Sequence, residues 1–515
     1  MNGSLHLDNA LIWTGDPEVP RARCLTIRGG DILTHDRLDG EARVIDAGGR
    51  VVLPGFIDAH THLLMGGLSL GELDLSGVTS REEFENAIQR RHAELPEDAW
   101  LIAGGWSEEN WSGREPPDKS WLAGAGDRPV VCRRMDIHAS LVNDVVLRRL
   151  DTSHDPEGGR IIRDGQGNPT GLMVEAAAWE LVNPIIPKLT IERKQEALRA
   201  AMRHYHEFGV TTVMSMEDAH DLDDVFLPIR DELTLRVCVT LMDRQWPLDL
   251  TYARAFDHTD RLSIIGFKAF TDGTLGSRTA KLFEDYADDP GNRGLLVELT
   301  KDGHLDAWAR LVVEAGFSPS VHAIGDEAAR LVLNAFEGLD RTKPLRVEHA
   351  QQLARDDITR FQGLVASMQP LHKADDARYV TRRLGQHRLD GFFAFKGLLD
   401  AGAILVFGSD WPVVGVDPLL GIRTAASGIT LDGEVFTPQH NITIEESLKA
   451  YTSDAARALG LDRTGMLKEG WTGDLIMLDT DVWPADWDPR KLGQPDAAGK
   501  VILTVSSGEV VYDAR

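Results

Sequence analysis

In VVLPGFIDAHTHLLMGG, residues 51–67, an apolar run gives way to His60 and His62, two imidazoles separated by one residue. Side chains alternate faces along a strand, so the pair points to one side about 7 Å apart and can converge on one ion. The same spacing recurs at His204 and His206 in RHYHEFG. That segment reads as helix, where a two-residue step rotates side chains by about 200°, so the second pair is not expected to chelate. A lone His-x-His suits polar termination of a strand as well as it suits a metal. Three other candidate strands tip the balance: FSPSVHA ends near His322, LRVEHA near His349 and AILVFGSD at Asp410. Singly these read as satisfied histidines and a turn residue. Together, at the strand ends where barrel active sites are built, they predict a donor set suited to a borderline-hard divalent cation such as Zn²⁺.

Lys268 lies inside the apolar stretch SIIGFKAF. A snorkelling lysine is the plain reading. Burial favours the neutral amine, however, and a neutral lysine can take up CO₂ as a carbamate, an anionic oxygen ligand able to bridge two metals.

Positioning such groups requires repeated strand–helix units. GVTTVMSM, LRVCVTL, LSIIGFKAF, FSPSVHA, LRVEHA, GLVASM and AILVFGSD read as strands, and VVLPGFIDAH makes eight. Between them, TIERKQEALRAAMRHYHEFG, HLDAWARLVVEAG, DEAARLVLNAFEGL and TIEESLKAYTSDAARALG read as helices, the last opening on a Thr443 to Glu446 capping box. Eight units predict an α/β fold with a closed (β/α)₈ TIM barrel over residues 53–460, and no Gly-x-Gly-x-x-Gly supports a dinucleotide fold. Residues from about 66 to 185, rich in Trp, Gly and Pro, predict an inserted subdomain. Short strands in residues 1–52 and 461–515 predict a small β-sandwich formed by the two termini.

With 42% apolar and 26% charged residues the composition is that of a globular protein. A net charge of −26 disfavours nucleic acid and anionic membranes as partners, leaving a small-molecule substrate. Cys24, Cys132 and Cys238 are scattered and odd in number, so they frame neither disulfides nor a thiolate metal site. The start MNGSLHLDNALIWTG resembles no secretory signal, and the protein is read as cytoplasmic, with a homodimer as the base-rate assembly.

PGFIDAHTH, GFKAFTDGTLGSRTA, SVHAIGDEA, RVEHAQ, FGSDWPV and GMLKEGWTGDLIMLD resemble the amidohydrolase superfamily, and within it the amidohydrolase 3 branch that includes N-substituted formamide deformylases. The resemblance spans nearly the whole chain. It implies two metal ions per subunit, with His60, His62 and Asp410 on one, His322 and His349 on the other, and carboxylated Lys268 between them. It gives catalytic roles to Asp410, Lys268 and His349. RMDIHASLVN implicates His138 in the substrate pocket, with Ile137 standing where a small residue is common, and SMQPLHKADDA implicates His372. Asp272 joins the expected substrate contacts, as does Trp106, whose alternative is core packing of the insertion. Asp58 shares the parity of His60 and His62 and is expected to orient a ligand or bond a turn. The implied reaction is metal-assisted hydrolysis of a non-peptide C–N bond, with Asp410 moving the proton. An esterase or lactonase at the same site, and a catalytically silent scaffold, are the alternatives.

Overall fold

The first expected strand is two strands. Pro54 has no amide to extend a ladder, and Gly55 passes so close to Thr211 that a Cβ there would lie 2.4 Å from its Oγ1. Val51–Pro54 therefore joins a sheet outside the barrel, and β1, Phe56–Thr61, enters it. In this computed structural model, which describes residues 4–36, 42–243, 245–493 and 499–515, β1 is followed by β2 (Val210–Glu217), β3 (Arg236–Leu241), β4 (Leu262–Phe270), β5 (Ser318–Ala323), β6 (Arg346–His349), β7 (Val365–Met368) and β8 (Ile404–Phe407). They form one eight-stranded parallel sheet in sequence order. Most of their residues are buried, as expected of parallel strands covered on both faces.

The ladder runs from β1 round to β8, and the remaining gap is bridged from beyond β8. Asp410 N donates to His60 O at 2.7 Å. The Asp58 carboxylate accepts the amides of His60 (3.1 Å) and Ser409 (3.0 Å) and the hydroxyl of Tyr205 (3.1 Å). Gly408 makes this approach possible, since a Cβ there would fall 2.5 Å from His60 N. The result is a nearly closed barrel.

Helix Ile191–Glu207 follows the N-cap Thr190 and buries Leu198, Ala201, Met202 and Tyr205 on the barrel. Each fully buried aliphatic side chain of this kind contributes about 1.5–3 kcal/mol relative to exposure. The capping box at Thr443 and Glu446 is present, but the expected single helix is two, Ile444–Ala450 and Ser453–Ala458, broken where Thr452 takes φ −137°, ψ −98°.

Helix Leu63–Ser69 follows β1 directly and overlaps the expected start of the insertion at about residue 66. The inserted region builds a second six-stranded sheet from strands between Leu73 and Glu175, with its own core around Phe84, Trp106, Trp111 and Trp121. The terminal segments form a four-stranded sheet (Ser4–Asp8, Leu25–Arg28, Asp31–Thr34, Ala42–Asp46) and a six-stranded sheet in which Val51–Pro54 lies beside Leu475–Leu478. Leu7, Ile27, Ile45, Val52, Met477 and Leu503 share one apolar core. The first three residues of the amino-terminal stretch lie outside the described residues. Among the described residues no helix is long and apolar enough to cross a membrane.

Candidate metal centre

The carboxyl ends of the barrel strands bring the expected donors to one buried place. β1 carries His60 and is followed at once by His62, β4 carries Lys268, β5 His322 and β6 His349, and the turn after β8 carries Asp410. Asp410 Oδ1 stands 3.3 Å from His60 Nε2 and 3.4 Å from His62 Nε2. One ligand atom each from His60, His349 and Asp410 fall within 4.8 Å of one another. The His349 ring is 4.7 Å from that of His60 and 4.6 Å from that of His322. Two of these residues are held in the left-handed region, His349 at φ 71° and Asp410 at φ 57°. Such conformations cost about 1–3 kcal/mol and persist where surrounding structure fixes them.

Neighbours fix the rings. His60 Nδ1 meets Glu348 Oε2 at 2.5 Å, and Glu348 is in turn held by Arg346 Nε at 2.8 Å and by the Ser320 hydroxyl. His349 Nδ1 bonds Gln369 Oε1 at 2.9 Å. In both rings Nε2 is left as the nitrogen for a cation, the arrangement common among metal-bound histidines. His322 Nε2 donates to Gly273 O at 3.1 Å, which leaves Nδ1. His62 serves as the N-cap of the helix Leu63–Ser69 without a side-chain capping bond. That work passes to β2, where Ser215 Oγ accepts Leu63 N (2.8 Å) and Glu217 Oε1 accepts Leu64 N (3.2 Å), leaving the imidazole free of it.

Charge is arranged to match. Burial works against ionisation of Asp410, but the charge and hydrogen bond of His60, with help from His62 and His349, hold its carboxyl well below the usual range. Burial pushes His322 and His349 well below the ordinary histidine value and lowers His62. His60 is raised, since Glu348 and Asp410 outweigh burial and the charge of Lys268. An ionised carboxylate among largely neutral imidazoles is the protonation state a divalent ion requires. His60 Nε2 and His62 Nδ1 are buried and make no hydrogen bond. These residues fit a divalent cation.

Lys268 is buried, with Nζ 5.0 Å from the Phe270 ring centroid, and its charge acts on His60, His322, His349 and Glu348. His372 Nε2 is 3.8 Å from Asp410 Oδ2, and burial lowers its pKa to about 4. His138 reaches in from the inserted sheet, its ring 6.4 Å from that of His322. Ile137 beside it takes φ 57°, which explains why a small residue suits the position.

The two remaining expected substrate contacts, Trp106 and Asp272, have protein partners. Trp106 packs in the insertion's core, stacked 6.5 Å from Trp111 with Nε1 donating to Cys132 O, and is not among the histidines. Asp272 accepts the amides of Lys281 (2.7 Å), Ile324 (3.1 Å) and Gly325 (2.8 Å), tying loops together, and its Oδ1 lies 3.4 Å from His322 Nε2. Burial raises its pKa to about 7. Asp58 bonds the turn after β8 and the backbone amide of His60, the turn-bonding alternative, while the His60 ring is held by Glu348. Glu348, Gln369, Ser215 and Glu217 were not anticipated. Glu348 alone had a signal, its place beside His349 in RVEHAQ.

The sequence profile of the amidohydrolase family matches residues 43–512. The protein LONG AFTER FAR-RED 3 of Arabidopsis thaliana is 34% identical, covering 99% of this chain and 91% of its own. The N-substituted formamide deformylase of Arthrobacter pascens is 25% identical over 99% of this chain and 98% of its own. Among solved structures, an uncharacterized metal-dependent hydrolase from Pyrococcus horikoshii OT3 superposes with a TM-score of 0.78 at 27% identity, covering 96% of this chain and all of that one. With the barrel, its rim of donors and a profile that spans most of its length, the chain belongs to the amidohydrolase family.

Proposed function

We propose that this protein is a metal-dependent hydrolase that cleaves a non-peptide C–N bond in a small, N-substituted amide. The observation that carries the reading is the convergence of His60 and His62 on one oxygen of the buried Asp410, with His349 alongside. The metal-dependent hydrolase and the formamide deformylase among its relatives support it.

His60, His62, His322, His349 and Asp410 would hold divalent cations, Zn²⁺ by donor type, and Lys268, once it had taken up CO₂ as a carbamate, would add an anionic oxygen ligand. When bound, the ions supply Lewis acidity that makes water nucleophilic near neutral pH and polarises a carbonyl. Asp410 Oδ2, the oxygen not shared by His60 and His62, takes the proton of the attacking water and returns it to the departing nitrogen, which an amine leaving group requires. Glu348 and Gln369 hold the rings of His60 and His349 in register. His138 and His372 face the substrate. In this reading residues 53–460 form the catalytic barrel, the insertion supplies one wall of its mouth, and the terminal sheets form one composite sandwich.

The test is a panel of N-formyl, N-acetyl, cyclic-amide and ester substrates given to zinc-loaded and metal-stripped protein. Amide turnover that disappears on chelation and returns with zinc is expected. Turnover of esters alone would move the assignment to the esterase or lactonase reading, and a fully metallated protein inert on every substrate would remove it.

A further inference from the structure

We propose that Glu175, supplied by the inserted sheet, is a positioning residue for the reaction, holding the His138 ring so that Nε2 is presented to substrate at the barrel mouth. The inference rests on the hydrolase reading above. Glu175 ends the strand Pro169–Glu175, which pairs antiparallel with Ala139–Val142, and Glu175 N donates to His138 O at 2.8 Å. The two residues are thus neighbours at one edge of the ladder, and their side chains meet there, His138 Nδ1 to Glu175 Oε2 at 2.8 Å. With Nδ1 committed, Nε2 is the nitrogen left for a ligand.

Strand pairing alone would produce such a contact, and two features separate this one from ordinary packing. Glu175 (φ 52°), a member of the dyad, and Ile137 (φ 57°), next to His138, are both held in the left-handed region, unfavourable for a long and a β-branched side chain. Glu175 Oε1 is buried without a hydrogen-bond partner, an unfavourable state that a purely structural carboxylate would avoid.

The remaining contacts aim the ring. Trp179 packs edge-on 4.9 Å from it and donates through Nε1 to Ile137 O at 3.1 Å. Asp136 accepts the His138 amide at 3.1 Å with one oxygen. With the other it accepts the hydroxyls of Thr274 (2.9 Å) and Ser277 (2.8 Å), in the loop that follows β4. The backbone of His138 is therefore tied to the barrel, and its ring is tied to the insertion.

The experiment compares zinc-loaded wild type, Glu175→Gln, His138→Asn and the double variant. It measures metal content, kcat and KM on the best amide substrate, and the ¹⁵N shifts of the His138 ring. Glu175→Gln is expected to keep full metal and to lose about 10- to 100-fold in kcat/KM. That loss should vanish in the His138→Asn background, and the wild-type ring should carry its proton on Nδ1, with its ¹⁵N shifts altered once the carboxylate is removed. An equal loss in both backgrounds, an unchanged kcat/KM, or an unchanged ring spectrum would overturn the proposal. If Glu175→Gln does not fold, Glu175→Asp is read the same way, a shortened carboxylate giving an intermediate loss and an altered spectrum. Failure of the hydrolase reading is seen separately, as a wild type without amide turnover, and the ring spectrum still tests the positioning.

Discussion

The chain carries two His-x-His tripeptides, and the structure places them back to back with different work. His60 and His62 sit at the end of a strand, and both aim Nε2 at Asp410 Oδ1. His204 and His206 sit on the helix Ile191–Glu207 and diverge. His206 is buried between Val210 O (3.1 Å) and Thr234 Oγ1 (2.8 Å), while the His204 ring lies 5.3 Å from Trp411. The middle residues touch, Thr61 Oγ1 and Tyr205 Oη being 2.6 Å apart. Identical spacing thus yields a donor pair on one backbone and a buttress on the other, because a two-residue step returns a side chain to its face in a strand and turns it away in a helix.

The strongest way to break the contrast is to remove the group on which the strand pair converges. Asp410→Asn is expected to lower kcat by about 10²–10⁴-fold, with His204→Asn leaving metal content and turnover intact as the helical control. Steady-state kinetics beside metal analysis decide it, and full activity in the Asn variant would reject the proton-transfer role. Next comes the carboxylate that supports the His60 ring: Glu348→Gln should cost about 10- to 100-fold in zinc affinity or turnover, read by competition with a chelator. An affinity unchanged from wild type would mean that His60 needs no such orientation. The smallest effect sharpens the helical side. Burial lowers the pKa of His206 from 6.5 to about 4. Between those values the unfolded chain binds the proton that the folded one refuses, so the stability conferred by the neutral ring is complete above pH 6.5 and falls as the pH drops towards 4. The Tm difference between wild type and His206→Gln should narrow across that window, and a difference constant with pH would contradict the buried neutral ring.

How much of this was legible depends on whether the signal was local. Period-two alternation and strand-end residue types were enough to place His60, His62, His322, His349 and Asp410 on one rim, and the Thr443 capping box was readable from four residues. Pro54 and Gly55 were visible too, but that they transfer Val51–Pro54 to another sheet depends on Thr211 and Leu475, which are distant in sequence. The partners of Trp106 and Asp272 were hidden for a related reason. A tryptophan near a glycine pair and a carboxylate after a catalytic strand have the right chemistry for a pocket, and only the tertiary partners, Cys132 O for one and three loop amides for the other, consume it. Glu348 and Gln369 escaped notice because an orienting side chain is defined by the ring it faces rather than by its neighbours along the chain.

The bond between Asp58 and Ser409 at the barrel seam joins residues 351 positions apart. During synthesis, therefore, the ribosome releases His60 and His62 long before Asp410, the carboxylate on which both converge, has been translated. Closing so long a loop comes late in folding. The donor group of His60, His62 and Asp410 is thus complete only in the finished ring, and premature termination anywhere before Asp410 leaves a product without it.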